Sequence, residues 1–329
     1  MADQSDPQGA GAHSGLEPVL RMSGKMLLMV VAIVASVYAL LPQLTDLRGA
    51  AEQVRQAQWG WAVLVVLLVP VTFVGATLSI SGAVPERLAT TPTFLTQVAT
   101  SFSNKLAPST VGGMTLNIRF VQHQGVDRGA ATASVGLNAM GGWVVHTVLL
   151  VLFAVGAGRS AFGDVKLPNP EALLIGAGVV CVLAVAVLAI PSVRSMMADK
   201  ALPTLRRSAT GLRSVLHRPA KVTELLGGNL VVVLSLLACF VCSIAAFGGG
   251  LRLVTLGAVY LVGSSVAMIA PTPSGLGAVE AALVAGLVAA GMEGSVAVPA
   301  VFLFRLTTFW LPILPGWVCL SWLRRHDNV

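Results

Sequence analysis

Apolar runs of roughly twenty residues recur along this chain, and they constrain its fold more than any other feature. Such runs occupy residues 25–44, 59–84, 130–156, 171–190, 225–247 and 296–322. Each is close to the ~20 residues that an α-helix needs to cross a bilayer. The strands of a membrane β-barrel would instead alternate apolar and polar residues over about ten positions. We therefore expect an all-α polytopic membrane protein with six full transmembrane helices.

Composition excludes an ordinary soluble protein. Hydrophobic residues make up 55% of the 329 residues and charged residues 11%, whereas soluble domains are about 25% charged. The formal charge of +7 could indicate nucleic-acid binding. In a membrane protein, however, basic residues first report orientation and attraction to anionic lipid. We expect membrane lipids, mostly anionic ones, as partners, and no nucleic acid.

Two further segments, 93–124 and 253–292, are apolar but interrupted by proline and glycine. The interruptions begin at Ala107 and Ala270, 163 positions apart. In each half of the chain the order is two spans, one broken segment and one more span, which indicates an internal repeat. Three crossings per half are an odd number, so the second half enters the membrane from the opposite side. This pattern predicts an inverted repeat with two re-entrant broken-helix hairpins. The alternative is chance similarity between two common Pro-Gly breaks.

The repeat divides the chain into segments. They are a disordered cytoplasmic tail (1–24), the first membrane repeat (25–157), an outer connector (158–170), the second membrane repeat (171–323) and a cytoplasmic tail (324–329). With both termini in the cytoplasm of a cell-membrane protein, fourteen of the 21 Lys and Arg residues fall on the inner side and five on the outer side. This is the positive-inside pattern. The second repeat contains a basic cytoplasmic loop (191–223), which lies on the inner leaflet or is simply solvated.

The two breaks are candidates for a binding site. A helix interrupted inside a membrane leaves backbone N–H and C=O groups unpaired, which is tolerated only against protein or a wet cavity. In each break a proline is followed by a hydroxyl and by glycines, so the restarting helix presents free N–H groups that favour an anion such as phosphate. The alternative is that the small residues only permit tight helix packing. The candidate ligand-binding residues are Asn104, Lys105, Pro108, Ser109, Gly112, Gly113, Arg119, Pro271, Pro273, Ser274, Gly275, Gly277, Glu280 and Arg305.

Charged residues within the apolar segments support an anion site. Glu280 and Arg305 fall at similar depths near the expected midplane, where each needs a partner. We therefore expect them to interact, either as part of a ligand site or as a purely structural bridge. Lys105 and Arg119 lie in the first broken segment, so three cations stand against one carboxylate. A net charge of +2 suits a phosphate-bearing ligand.

Other chemistry has little support in the sequence. His146 stands alone in an apolar run, where a hydrogen bond between helices is a better interpretation than a proton relay. The four cysteines lie in apolar stretches, and neither a metal-ligand cluster nor a nucleotide-binding motif is present. We expect no cofactor, no metal and no catalytic constellation. The chain is therefore not predicted to be an enzyme.

The residues around both breaks resemble those of the lysylphosphatidylglycerol synthase transmembrane region family, also called flippase-like. The resemblance covers about residues 25–322 and implies a membrane domain that moves aminoacylated or other phosphate-linked lipids between leaflets. The aminoacyl-transferase domain fused to some members is not expected here, since seven residues follow Trp322. The residues that carry the resemblance are Asn104, Pro108, Gly112, Gly113 and Arg119, then Pro271, Pro273, Ser274, Gly275, Leu276, Gly277 and Glu280, and finally Arg305.

Three functions remain open on this basis. The first is translocation of an aminoacyl-phospholipid or a polyprenyl-phosphate-linked lipid. The second is a non-transporting partner of a lipid- or glycan-modifying enzyme, and the third is transport of a small anion. A homo-oligomer is compatible with each of them.

Overall fold

The computed structural model describes residues 57–106, 111–157, 217–269 and 275–326. Within these ranges all regular structure is helical. The predicted spans 25–44 and 171–190, the connector 158–170 and the tail 1–24 lie outside the described residues. The helices are α1 (Trp59–Ala83), α2 (Thr90–Leu106), α3 (Val111–His123), α4 (Arg128–Ala157), α5 (Pro219–Ala246), α6 (Leu253–Ile269), α7 (Ala278–Ala289), α8 (Gly294–Arg305), a π-helical segment (Leu306–Trp310) and α9 (Ile313–Arg325).

The helix boundaries repeat with the offset that the two breaks show in the sequence. Helix α1 ends at Ala83 and α5 at Ala246, 163 residues later. Helix α2 likewise corresponds at both ends to α6, again 163 residues later. The described part of each half therefore consists of a long helix, a pair of shorter helices and a second long stretch of helix.

Helices α1 and α5 form the most extensive contact among the described helices, and they run antiparallel. At one end of the pair, Gln58 N donates to Ala246 O at 2.8 Å, and at the other, Lys221 Nζ donates to Ser81 O at 2.7 Å. Their backbones approach closely where a Cβ added to Gly228 would lie 2.7 Å from a carbonyl oxygen of α1. Since α1 and α5 are corresponding elements of the two halves, their antiparallel contact is the one that an inverted repeat produces.

Each pair of shorter helices is an antiparallel hairpin. In the first hairpin (α2 and α3), the side chain of Gln97 donates to that of Asn117 at 2.9 Å, while Gly113 packs on Thr100. Residue numbers rise along α2 as they fall along α3, so the chain turns back at the break. The second hairpin (α6 and α7) is antiparallel in the same way, because Gly263 meets Leu283 and Gly286 meets Val259.

The two halves exchange contacts through these hairpins. Helix α2 of the first hairpin packs on α9 of the second half, and α6 of the second hairpin packs on α4 of the first half. Glycine permits both crossings: a Cβ on Gly316 would lie 2.7 Å from Phe102 Cβ, and Gly257 lies against the Phe153 ring. The first arm of each hairpin is therefore held by the last long stretch of helix from the other half.

The last predicted span, 296–322, is helical but not a single regular α-helix. A π-helical segment (Leu306–Trp310) separates α8 from α9, and Leu311 N donates to Leu306 O at 2.8 Å. Pro312 follows directly, and its lack of an N–H removes a regular α-helical hydrogen bond at this point. The π segment widens one turn just beyond Arg305, and such bulges are frequent at functional sites.

Four helical stretches are long and apolar enough to cross a membrane among the described residues. They are Trp59–Ala83, Arg128–Ala157, Pro219–Ala246 and Gly294–Arg325. Large apolar side chains such as Leu67, Val155 and Leu314 are exposed on them, which suits contact with lipid rather than water. The protein is therefore a helical membrane protein, as its sequence predicts.

The basic loop predicted at 191–223 ends earlier in the structure than the sequence suggests. Residues 191–216 lie outside the described part of the chain, but α5 already begins at Pro219. Proline is well suited to the first turn of a helix because its fixed φ fits and its missing N–H is not needed there. The loop charge Lys221 therefore belongs to a helix, where it holds the end of α1.

Candidate functional site

The expected partners Glu280 and Arg305 are joined by a short ion pair. Arg305 Nε donates to Glu280 Oε1 at 2.6 Å, and each side chain is 13% exposed. Packing behind the pair fixes α8, because the ring of Phe304 lies 5.5 Å from that of Phe240 and 6.0 Å from that of Tyr260. Arg305 is the next residue, so its guanidinium is held beside the second hairpin.

The second hairpin presents Glu280 on the first turn of α7. Its other oxygen, Oε2, accepts the backbone N–H of Gly277 at 2.8 Å and so satisfies one of the free donors at the helix start. Gly275 and Gly277 have φ of 68° and 82°, values that residues with a side chain rarely adopt. The glycines of this break therefore shape the turn that delivers Glu280.

The first hairpin contributes Lys105, which meets the same region through an aromatic ring. Lys105 Nζ lies 4.9 Å from the centroid of the Phe309 ring, and Arg305 Cζ lies 4.6 Å from it. Lys105 is the penultimate residue of α2, whereas Phe309 lies in the π segment. Both distances are within the range of cation–π attraction. One ring thus brings together cations from the two halves of the protein. We call Lys105, Glu280, Arg305 and Phe309 the Arg305 cluster.

The cluster contains hydrogen-bond donors that are buried and unused. Lys105 Nζ and Arg305 Nη2 are inaccessible to solvent and have no hydrogen-bond partner among the described residues. Burying a cationic donor without a partner is costly, so such atoms are uncommon in native structures. With Glu280 as its carboxylate, the cluster has a net charge of +1. Its unpaired groups are donors on cations, which favour an anion over a cation.

Asn104 closes the break of the first hairpin. Its Oδ1 accepts the backbone N–H of Gly113 at 2.9 Å, close to the start of α3. A Cβ at position 113 would collide with the Asn104 side chain, which explains the glycine there. The candidates Asn104 and Gly113 thus have a structural role next to Lys105, and Gly112 lies beside them in the first turn of α3.

Arg119 is not brought to the cluster. It is exposed on α3, two turns beyond the break, and no contact among the described residues joins it to Lys105 or Arg305. The expected excess of two positive charges is therefore reduced to one. The reason is geometric, because α3 runs antiparallel to α2 and carries Arg119 away from the break.

Several candidate residues lie outside the described part of the chain, so their placement stays a prediction. The meeting of Pro108 with Pro273 is in this group. Of the described residues near the two breaks, Lys105 lies close to Phe309 and Glu280 binds Arg305. The candidates outside the described ranges are Pro108, Ser109, Pro271, Pro273 and Ser274.

His146 makes the hydrogen bond between helices that the sequence favours. Its Nε2 lies 3.0 Å from Ser265 Oγ, which links α4 to the second hairpin. The Ser265 hydroxyl donates its proton to Leu261 O at 2.8 Å, so it accepts from His146 Nε2–H. His146 therefore joins α4 of the first half to α6 of the second half.

The role of Phe309 was missed in the sequence. One signal was available: Phe309 follows Arg305 by four positions, a spacing that places two side chains on the same helix face. The buried bond between Gln97 and Asn117 was missed as well. Among the described residues no group of three His, Cys, Asp or Glu side chains could hold a metal.

Comparison with known protein families identifies the family to which this chain belongs. A comparison with curated proteins found no match. The model of the lysylphosphatidylglycerol synthase TM region matches residues 27–316, which include both hairpins and the Arg305 cluster. The match extends over most of the 329 residues. The chain therefore belongs to the lysylphosphatidylglycerol synthase TM region family.

Proposed function

We propose that this protein binds the phosphate of an anionic lipid at the Arg305 cluster and moves that lipid between membrane leaflets. The observation that carries the proposal is a pair of buried donors, Lys105 Nζ and Arg305 Nη2, that have no hydrogen-bond partner in the described ranges. An anion that accepts from both would remove two unsatisfied groups at once. Phosphate is well matched to such a site, since it offers several acceptor oxygens to an ammonium and a guanidinium.

The proposed membrane arrangement supports transport. At about 1.5 Å per residue, the 13 residues of α3 and the 12 of α7 span roughly 20 Å, less than the ~30 Å hydrocarbon core. Both hairpins are therefore proposed to be re-entrant. Inverted repeats with a site between discontinuous helices are typical of transporters that alternate access between two sides. The Arg305 cluster is formed by both halves in this way, because Lys105 comes from one half and Glu280 from the other.

A role in binding and transport is proposed in preference to catalysis. The ammonium of Lys105 and the guanidinium of Arg305 neutralise a bound anion, while Glu280 is engaged by Arg305 and Gly277. None of these three groups is arranged beside a nucleophile among the described residues. A non-transporting partner of a lipid-modifying enzyme would bind lipid at the same cluster without moving it.

Lipid binding tests the site. The protein in nanodiscs of phosphatidylcholine is titrated with phosphatidylglycerol and, separately, with soluble glycerol phosphate. Lys105→Ala is expected to weaken phosphatidylglycerol binding about tenfold or more, because charge-assisted hydrogen bonds contribute about 1.5–3 kcal/mol. Arg119→Ala is the matched control, an exposed cation of the same hairpin, and should leave binding unchanged. Equal binding by wild type and a folded Lys105→Ala variant would remove the proposed site.

Movement of lipid needs a second measurement. Vesicles containing the protein and a head-labelled phosphatidylglycerol are treated with a membrane-impermeant quencher. Translocation makes the inner-leaflet label accessible, and Lys105→Ala should slow this step relative to Arg119→Ala. Binding without any gain in accessibility would favour the non-transporting partner, and preferential binding of glycerol phosphate would favour a small-anion transporter.

A further inference from the structure

Acidic residues are almost absent from the interiors of the apolar segments of this sequence. The sequence contains 14 Asp and Glu residues, and Glu280 is the only one in the middle of an apolar segment. The breaks themselves, 107–110 and 270–274, contain only Ala, Pro, Ser and Thr. Among the described residues, Glu280 is therefore the carboxylate placed beside the hairpins and within reach of a headgroup there.

That carboxylate is already engaged through both oxygens. Glu280 Oε1 accepts from Arg305 Nε at 2.6 Å, and Oε2 accepts from Gly277 N at 2.8 Å. The unused capacity of the cluster consists of donors, Lys105 Nζ and Arg305 Nη2, and both belong to cations. Among the described residues, a ligand thus meets two cations with unpaired donors and one carboxylate whose charge is already offset by Arg305.

We infer that the Arg305 cluster selects a phosphate-bearing headgroup that carries no ammonium, and so discriminates against aminoacylated lipids. An added ammonium would face Lys105 and Arg305 as like charges, which disfavours binding. Its attraction to Glu280 would be weaker than to a free carboxylate, because that carboxylate already accepts from Arg305 Nε and Gly277 N. This inference rests on the proposed function and narrows its ligand from phosphate-bearing lipids in general to those without amines.

Three lipids with the same phosphodiester test the inference. Phosphatidylglycerol has no ammonium, phosphatidylethanolamine has one, and lysylphosphatidylglycerol has two. Because exposed basic residues elsewhere attract any anionic lipid, the measured quantity is the part of the affinity that Lys105→Ala removes in nanodiscs of phosphatidylcholine. We expect the affinity lost in Lys105→Ala to decrease from phosphatidylglycerol to phosphatidylethanolamine to lysylphosphatidylglycerol. The loss for phosphatidylglycerol should exceed that for lysylphosphatidylglycerol about tenfold or more, which corresponds to one charge-assisted interaction.

A charge reversal gives an independent measurement. Lys105→Glu changes the net charge of the cluster from +1 to −1 and is expected to shift the preference toward lysylphosphatidylglycerol. Arg119→Glu makes the same change of charge at an exposed position of the same hairpin and should leave the order unchanged.

The possible results separate the inference from the function beneath it. If lysylphosphatidylglycerol binds wild type as tightly as phosphatidylglycerol, and Lys105→Ala weakens both, the selectivity is wrong while the site stands. If Lys105→Ala weakens neither lipid, the proposed site fails and the inference falls with it. A Lys105-dependent decline along the series supports both, whether or not Lys105→Glu yields folded protein.

Discussion

Glu280 and Arg305 stabilise each other because both are taken out of water. Each side chain is 13% exposed, and the carboxylate also holds the start of α7 through Gly277 N. In such surroundings removal of one partner leaves a buried charge uncompensated, whereas removal of both charges costs less. The pair is therefore expected to be strongly non-additive.

Stability measurements on three variants test this coupling. Glu280→Gln and Arg305→Met are each expected to lower the free energy of unfolding by about 3–5 kcal/mol, the cost of breaking a buried ion pair. Glutamine retains an acceptor for Gly277, so the loss reports the charge. The double variant should be more stable than either single one. Denaturant unfolding in micelles measures the three values, and additive losses would contradict the coupling.

His146 differs from the cluster because its partner is neutral. The bond from Nε2 to Ser265 Oγ joins two helices, and such bonds contribute about 0.6–1.7 kcal/mol in membrane proteins. His146→Ala should lower stability by this amount, and His146→Gln, which retains a donor, should lower it less. If His146 instead relays protons, His146→Gln would change the pH profile of lipid translocation; we expect that profile to match wild type.

Side-chain partners differ in how far a sequence reveals them. The pairing of Glu280 with Arg305 follows from depth alone, because a charge in an apolar helix requires an opposite one. The contact between Lys105 and Phe309 depends on how the first hairpin and the π segment face each other, which no local pattern encodes. The position of Arg119 depends in the same way on the antiparallel direction of α3.

At the scale of the helices, the close contact between α1 and α5 depends on glycines, which have no side chain. A Cβ on Gly228 would lie 2.7 Å from Gly75 O, and a Cβ on Gly75 would lie 2.9 Å from Gly228 O. Both distances are shorter than van der Waals contact, and the atoms concerned belong to the backbone and cannot move aside. Small residues have this role in membrane helix pairs generally, since close backbones maximise packing where water gives no driving force.

Adjacent glycines of α5 provide a matched test of that contact. Gly228→Ala is expected to destabilise by about 1–3 kcal/mol, the usual cost of overpacking. Gly227→Ala, whose Cβ would have no neighbour within 4 Å, should be neutral or stabilise by up to about 1 kcal/mol through helix propensity. Thermal unfolding in the same detergent compares the two. Equal effects would show that the α1–α5 interface tolerates separation.

Helical elements were predictable to different extents. The hairpins were recognisable because proline and glycine interrupt apolar runs that have no other reason to stop. The early start of α5 at Pro219 was missed, because Arg218, Lys221 and Glu224 around its first turns are typical of a solvated loop. The π segment at Leu306–Trp310 leaves no trace in hydropathy, since a one-residue bulge does not change which residues are apolar.

At the scale of the whole molecule, one end of the described helices is rich in Lys and Arg, and we call it the basic end. Lys221 Nζ contacts Ser81 O and Arg218 Nη1 lies 3.4 Å from Pro85 O, so the start of α5 meets the end of α1. The loop after α1 and the start of α4 lie at this end too, because α2 and α3 are antiparallel. The last span begins at the opposite end and finishes here. The Lys and Arg residues of the basic end are Arg87, Arg128, Arg218, Lys221, Arg324 and Arg325.

The opposite end is almost neutral among the described residues. It contains Arg252, between α5 and α6, and Glu293, between α7 and α8. The hydrogen bond from Gln58 N to Ala246 O fixes the start of α1 at this end. Six basic residues at one end against one at the other follow the positive-inside rule when the basic end faces the cytoplasm.

Orientation can be tested with single thiols at the two ends. Glu86 and Glu293 are both exposed, and they lie at the basic and the opposite end respectively. In a background without native cysteines, Glu293→Cys is expected to react with an impermeant maleimide added outside intact cells. Glu86→Cys should react only after permeabilisation, and Ser208→Cys in the predicted cytoplasmic loop should behave like Glu86→Cys. Short basic loops are usually retained in the cytoplasm. Labelling of Glu86→Cys but not of Glu293→Cys from outside would therefore mean that charge asymmetry does not determine the orientation of this protein. Labelling of both Glu86→Cys and Glu293→Cys from outside would contradict the fold as well as the orientation. It would place the two ends of the α1–α5 pair on one side of the membrane, and the transport mechanism requires that pair to cross it.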